Sequence, residues 1–254
     1  MESITHQVLE LLQQARQSHT QYDALDAGLQ LTQPAHAYAI QKVMGQAQAW
    51  WEGEVPRTWK TGATSPHALQ TNAPLPDAGV WSSPADASQW PMHFRGIEAE
   101  IAFRVGDRVT ADQALCMSHG DVLSCFSDMA VSIELVDSRW VQGMEAPDLL
   151  KLADLQSHGA LVLGSWQPCV QRNWAEQVCR QQIGERQLSV TGMHPVQDPT
   201  LLLCGWLRHV CDTFGAVPSG TVVTTGTWTG LLYAQPGDAV EVQFPGMGTA
   251  SVQL

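Results

Sequence analysis

Three glutamates carry the strongest chemical signal in the chain. Glu98-Ala99-Glu100 lies within the stretch from Gly96 to Phe103, and Glu134 follows in Ser132-Ile133-Glu134-Leu135-Val136. If residues 97 to 105 form a strand, Glu98 and Glu100 project from one face, roughly 6.6 Å apart, while Ile97, Ala99 and Ile101 project from the other. Facing outward, the pair would be no more than a solvated acidic edge. The second stretch argues against that, because Ile133, Leu135 and Val136 crowd a glutamate that is costly to bury without a counter-charge. A divalent cation supplies one. Three hard oxygen ligands with no Cys or His spacing nearby suit Mg²⁺ or Mn²⁺ rather than zinc, since such ions retain water that a substrate can displace.

In this order, Glu98-Ala99-Glu100 and Glu134 resemble the metal-binding signature of the fumarylacetoacetate hydrolase superfamily, in particular its branch of 2-keto-4-pentenoate hydratases and 4-oxalocrotonate decarboxylases. Further landmarks follow the same order: Lys60-Thr61-Gly62-Ala63-Thr64-Ser65, Pro76-Asp77-Ala78-Gly79, Ala153-Asp154, Ser157-His158-Gly159, His194-Pro195 and Thr225-Gly226. The likeness spans nearly the whole chain, and the ordered landmarks make it far more specific than a lone Glu-x-Glu.

The resemblance implies roles for several of these residues. Lys60, the only lysine between Lys42 and Lys151, is expected to bind a substrate carboxylate or assist proton transfer, because a lysine near a metal is a compact cation whose pKa can fall. Asp77 is open between a turn residue and an acid/base. Thr64 and Ser65 are expected against substrate, as are Thr225 and Gly226, where a β-branched strand ends in glycine and the backbone can approach a ligand carboxylate. His194 is open between a structural role and the pocket wall. Two positions depart from the hydratase pattern: Leu155 follows Asp154 where an Asn is usual, and Trp228 stands where smaller residues are common, which would narrow the pocket or change its shape.

The chemistry implied is addition of water to a 2-hydroxy-2,4-dienoate, giving a 4-hydroxy-2-oxo acid, as in the degradation of aromatic compounds. A decarboxylase of the 4-oxalocrotonate type uses the same enolate. A C–C hydrolase of the acylpyruvate type remains a third reading, although it needs a histidine base that the sequence does not place. From another class, the chain could be a non-catalytic assembly partner with a structural metal.

Composition narrows the field further. The chain has 254 residues, enough for one large core, and 13 basic against 25 acidic residues give a net charge of −12. Nucleic acid is not an expected partner, because phosphate binding relies on clustered Lys and Arg. The six cysteines form no Cys-x-x-Cys pair and no zinc spacing. Without a basic-then-apolar leader or a membrane-length apolar run, the reading is a cytoplasmic enzyme of small-molecule acids, homo-oligomeric as the superfamily favours.

The elements that must position these residues read as a mixed α+β chain forming one catalytic domain over residues 1–254. Ile4, Val8, Leu11, Leu12 and Ala15 recur at helical spacing over residues 2 to 18. Thr32 before Gln33-Pro34 reads as the N-cap of a second helix running to Gly53. Residues 57 to 62, 97 to 105, 125 to 136, 160 to 163 and 221 to 225 read as strands, and 239 to 244 with 249 to 254 as a closing antiparallel pair. Residues 111 to 117, 147 to 154 and 199 to 214 read as helices. The Pro- and Ser-rich segment from Thr71 to Pro91 reads as a long irregular lid or binding loop. The resemblance implies a mixed β-roll around the metal site, with the N-terminal helices packed outside.

Overall fold

The computed structural model describes residues 3–25 and 28–254. Among them, five α-helices accompany a nine-stranded mixed sheet, a five-stranded sheet and a two-stranded ribbon, the α+β architecture expected. Along the large sheet the order is Thr71–Pro74, Thr58–Gly62, Val222–Thr224, Gly96–Val105, Phe126–Val136, His158–Leu163 and Val80–Ser82. Two short strands, Leu232–Tyr233 and Gln167–Pro168, add to it at Gly96–Val105 and Phe126–Val136.

The alternation read from the sequence decides which way this sheet faces. Ile97, Ala99, Ile101 and Phe103 share one buried cluster with Val131, Ile133 and Leu135, and with Val240, Val242, Phe244 and Val252 of the five-stranded sheet. The two sheets therefore bury their apolar faces against each other, and the period of two sends Glu98, Glu100, Ser132 and Glu134 to the opposite face.

That opposite face is approached by the helices. Ser3–Ser18 and Pro34–Ala47 bury Val8, Leu12, Ile40 and Met44 with Trp140, Leu150 and Ala153 in a second cluster of their own. The Asp148–Ala153 helix joins this cluster and leads directly into the strand that starts at His158. The expected start of the first helix at residue 2 lies outside the described residues.

Two expectations are corrected. The second helix ends at Ala47, not Gly53, with Gln33 rather than Thr32 at its N-cap. The chain turns back through Ala49, at φ 49°, so that the Trp51 ring covers Gly45 at a spot a Cβ would occupy. The segment from Thr71 to Pro91 is no free lid either. Its short strands Thr71–Pro74, Val80–Ser82 and Ala85–Asp86 are stitched into both large sheets.

Candidate metal centre

Five adjacent strands deliver seven polar side chains to the same place, two of the strands giving two each. Lys60 sits beside Thr224 in a parallel pairing, and the Thr224 strand runs antiparallel to the one carrying Glu98 and Glu100. Across the next pairing Glu134 stands directly opposite Glu98, and Ser132 opposite Glu100. His158 opens the strand beyond. One carboxylate oxygen from each of Glu98, Glu100 and Glu134 falls within 4.8 Å of the others. Glu100 and Glu134 are buried and Glu98 is partly so.

The hydrogen bonds fix these groups tightly. Lys60 Nζ donates to Glu134 Oε1 at 2.6 Å and to the Gln156 carbonyl at 3.3 Å. His158 Nδ1 lies 3.0 Å from the same Glu134 oxygen. Burial, reinforced by nearby Lys60, Arg16 and Arg139, holds the His158 pKa well below 6.5. The ring is therefore neutral, with its proton on Nδ1 facing the carboxylate. Ser132 donates to Thr224 Oγ1 at 2.8 Å, and Thr224 in turn donates to Glu100 Oε2.

Burial is the largest influence on all three carboxyls. It raises Glu98 from 4.5 to about 8 and Glu100 from 4.5 to about 7, with the neighbouring glutamates adding to the rise and Lys60 opposing it. Glu134 is raised too, again by burial against the pull of Lys60. For Lys60 burial acts downward, but Glu134, Glu98 and Glu100 outweigh it and lift its pKa. The ammonium is thus firmly charged and the three carboxyls are over-crowded with negative charge.

These residues fit a divalent cation. Three hard oxygen donors converge, and Glu134 Oε2 is buried with no hydrogen-bond partner. A buried anion with a bare oxygen is costly unless a cation meets it. Glu98, Glu100 and Lys60 line a cavity of about 540 Å³, with Glu134 fully buried beside them. The cavity walls include Thr64, Leu69, Ser157, Gly226 and the Asp148–Ala153 helix.

Gln156 holds Lys60 through an unusual turn. Leu155, Gln156 and Ser157 all have left-handed backbones, at φ 53°, 56° and 59°, a conformation that costs roughly 1–2 kcal/mol per residue for ordinary side chains. Charged anchors bracket the turn. The buried Asp154 carboxylate accepts from Arg16 Nη2 at 2.8 Å and from the Arg139 backbone and Nε at 2.9 Å each. After the turn, the His158 carbonyl accepts from Arg139 Nη2 at 2.8 Å. The turn leaves the Ser157 hydroxyl buried and without a hydrogen-bond partner on the cavity wall.

Not every residue expected at the site is there. Asp77 is exposed in a single 3-10 turn and does not line the cavity. Thr64 lines it, but its neighbour Ser65 does not. Thr225 turns its hydroxyl away, onto the Ile101 carbonyl at 2.8 Å. Gly226 lines the cavity. His194 is buried, with Nε2 2.7 Å from the Thr225 carbonyl and Nδ1 accepting from the Val196 N–H at 3.4 Å, so one ring nitrogen ties the Thr225 backbone and the other its own segment. Burial drops its pKa to about 4. Trp228 belongs to the core between the sheets, its ring 5.3 Å from Phe244 and 5.6 Å from His194, and it does not narrow the cavity. Leu155 likewise points into protein and is fully buried.

Other groups went unnoticed in the sequence. Ser132, Thr224 and the His158 ring owe their place to register across strands far apart in the chain. Gln156 and Lys151 owe theirs to the left-handed turn and the helix before it. Only Ser157-His158-Gly159 gave any signal, as a landmark without a role.

The model of the fumarylacetoacetate (FAA) hydrolase C-terminal family matches residues 37–254. No curated protein matches the chain by sequence. Among solved structures, 4-oxalocrotonate decarboxylase from Pseudomonas putida G7, complexed with magnesium and adipate, is similar over 98% of this chain and 97% of its own, at 19% identity and a TM-score of 0.81. The same protein complexed with calcium and acetate gives 0.80 at the same identity and coverage. The 2-hydroxyhepta-2,4-diene-1,7-dioate isomerase from Mycobacterium marinum is similar over 79% of this chain and 74% of its own, at 14% identity and a TM-score of 0.54.

Proposed function

The chain belongs to the fumarylacetoacetate hydrolase family, and from that premise we propose that it is a divalent-metal-dependent lyase acting on small 2-oxo acids, adding water to a 2-hydroxy-2,4-dienoate to give a 4-hydroxy-2-oxo acid. The observation that carries this reading is the meeting of Glu98, Glu100 and Glu134 within 4.8 Å beside a cavity that Glu98, Glu100 and Lys60 line, with Lys60 held 2.6 Å from Glu134. Mg²⁺ or Mn²⁺ held by the three glutamates supplies Lewis acidity to the oxygens of a 2-oxo acid head.

The protein's own groups do the rest. Lys60 is the one cation of the cluster, and with its charge fixed by the glutamates it donates hydrogen bonds to a bound carboxylate or enolate oxygen. Neutralising the glutamates removes the upward pull on its pKa and leaves burial, which favours release of a proton. Lys60 then serves as the group that carries the proton between oxygen and carbon as the dienol ketonises, a step worth about 10²- to 10⁴-fold. The Ser132–Thr224 chain orients Glu100, and His158 does the same for Glu134. Asp77, exposed and off the cavity, has no part in this scheme.

A decarboxylase of the 4-oxalocrotonate type is the second reading, supported by the similarity of the P. putida decarboxylase over 98% of the chain. Loss of CO₂ leads to the same enolate and uses the same lysine. The acylpyruvate hydrolase reading is weakened because, among the described residues, no histidine lines the cavity. A purely structural metal leaves a lysine buried against a metal ligand without purpose.

Incubation of the Mg²⁺-loaded protein with 2-hydroxypenta-2,4-dienoate and with 4-oxalocrotonate, following dienol absorbance and CO₂ separately, decides among these. Loss of dienol without CO₂ supports the hydratase; CO₂ from the second substrate moves the assignment to a decarboxylase. Silence from both, or full activity in Glu98→Gln, overturns the lyase reading.

A further inference from the structure

Gln156 is tied at both ends. Its backbone carbonyl accepts from Lys60 Nζ at 3.3 Å, and its side-chain Nε2 donates to Thr71 Oγ1. Lys60, Thr71 and Gln156 all line the cavity, so the amide lies along its wall. Strand register gives the span between the two ties. Thr71 pairs with Gly62, two residues beyond Lys60 on the same strand. Side chains two apart share a face of the sheet and so do cross-strand partners, which puts Thr71 on the Lys60 face, one strand over and roughly 6.6 Å further along.

The orientation of the amide follows from its partner. Thr71 Oγ1 has the Gly62 carbonyl to donate to, at 3.5 Å, so it receives the Gln156 N–H and leaves Oε1 as the free end. Among the described residues that oxygen has no hydrogen-bond partner, and it is not shut away from solvent. Two other hydroxyls of the wall are engaged: Thr61 Oγ1 donates to Asn72 Oδ1 at 2.7 Å and accepts from Gln70 Nε2 at 2.8 Å, and Thr227 Oγ1 donates to the Gly230 carbonyl at 3.0 Å. Gln156 thus offers a neutral acceptor a short carbon chain away from the lysine that holds the head of an acid.

We propose that Gln156 is a specificity residue of this site, its Oε1 accepting a hydrogen bond from a hydroxyl on C4 of a 2-oxo acid whose head is held at Lys60. An acid extended from Lys60 towards Thr71 carries that hydroxyl to the amide. This rests on the 2-oxo acid reading of the site and adds the group that tells a 4-hydroxy-2-oxo acid from a plain one. In water addition the same oxygen holds the incoming water by one hydrogen and keeps the hydroxyl that results. An amide is too weak a base to take the proton, so its part is orientation.

The test compares the two enantiomers of 4-hydroxy-2-oxopentanoate with 2-oxopentanoate, which lacks only the hydroxyl, in calorimetric binding to the Mg²⁺-loaded protein. A single fixed acceptor favours one hand, so one enantiomer is expected to bind about three- to tenfold tighter than 2-oxopentanoate, the size of one net hydrogen bond. Gln156→Met keeps the length of the side chain without the amide; it should abolish that margin and leave 2-oxopentanoate unchanged. Thr71→Val, which frees the amide, should remove part of it. Gln156 has no part in recognising the hydroxyl if neither enantiomer exceeds 2-oxopentanoate in the wild type, if the margin survives Gln156→Met, or if that variant weakens both acids alike; the 2-oxo acid site then still stands. Binding of none of the acids overturns that site as well.

Discussion

The crowding of charge beside the cavity makes a stability experiment the sharpest test of the metal centre. Glu98 ionises at about 8 and Glu100 at about 7, both raised from 4.5 chiefly by burial. In the unfolded chain both are fully ionised above roughly pH 5.5. Between pH 6.5 and 8 the folded protein therefore binds more protons than the unfolded one, and its stability must fall as pH rises. His194, lowered to about 4, acts with the opposite sign, as do the lowered His158 and His209, but free histidine is half deprotonated at pH 6.5 and almost wholly so by about pH 7.5, so their opposing effect fades across the lower half of the window. The upper part of the window, from about pH 7.5, thus isolates the glutamates. At about 1.4 kcal/mol per pH unit, Glu98 contributes roughly 2 kcal/mol of loss over this window and Glu100 less than 1. For a chain of this size that lowers Tm by roughly 5–10 °C. Differential scanning calorimetry of the chelator-stripped protein at pH 6.5, 7, 7.5 and 8 measures it. Excess Mg²⁺ should flatten the slope and raise Tm most at pH 8, because the ligands must be deprotonated to bind. Glu98→Gln should flatten it without metal. A metal-free Tm that is constant or rises across the upper part of the window would refute the crowded-carboxylate reasoning.

Thr224→Val keeps the shape of the side chain but removes the hydroxyl that donates to Glu100; Mg²⁺ affinity should fall about 10- to 100-fold by titration calorimetry, with the fold intact. Lys60→Met should retain Mg²⁺ binding while kcat/KM drops by about 10² or more on whichever dienoate is turned over, and unchanged turnover would remove Lys60 from the chemistry. Trp228→Ala should cost roughly 3–5 kcal/mol by urea unfolding, since a fully buried indole between the sheets is lost. Trp228→Phe should leave KM within about twofold, because the ring does not touch the cavity; a larger shift would mean that it does.

How much of this was legible in the sequence depended on the range of the forces at work. The long strands Gly96–Val105 and Phe126–Val136 announce themselves because a strict period of two separates their apolar residues from their glutamates. The short strands of residues 71–86 do not, since two to four residues carry too little pattern and their pairing is decided by distant partners such as Leu161 and Val252. The end of the second helix was misread for a similar reason. Nothing local stops it at Ala47 except the return of Trp51 onto Gly45. At the site, Glu98, Glu100 and Glu134 could be grouped by face alone, whereas Thr224 and Ser132 join them only through register. Of the residues expected against substrate, Gly226 lines the cavity, while the Thr225 hydroxyl is turned onto Ile101 and the His194 ring, open between two roles, bonds the Thr225 carbonyl.

The arrangement of this cluster is itself an argument about function. Glu98 faces Glu134 directly across an antiparallel pair, where like charges are destabilising and opposite charges or apolar residues would strengthen the sheet. The chain adds to that cost with three successive left-handed residues at Leu155, Gln156 and Ser157, one of them a buried leucine where glycine or asparagine would sit with less strain. Both costs are offset by structure that has no other evident use. Arg16 and Arg139 clamp Asp154 and the His158 carbonyl on either side of the turn, and the turn presents the Gln156 carbonyl to Lys60. A sheet organised for stability alone would pair Glu98 with a lysine and run the Asp148–Ala153 helix into an ordinary loop. Here the lysine is instead drawn to Glu134 across two intervening strands, which leaves Glu98 and Glu100 short of positive charge on the side that opens to the cavity. That imbalance is what a divalent cation corrects, and it explains why the strain is concentrated beside the carboxylates rather than spread through the fold.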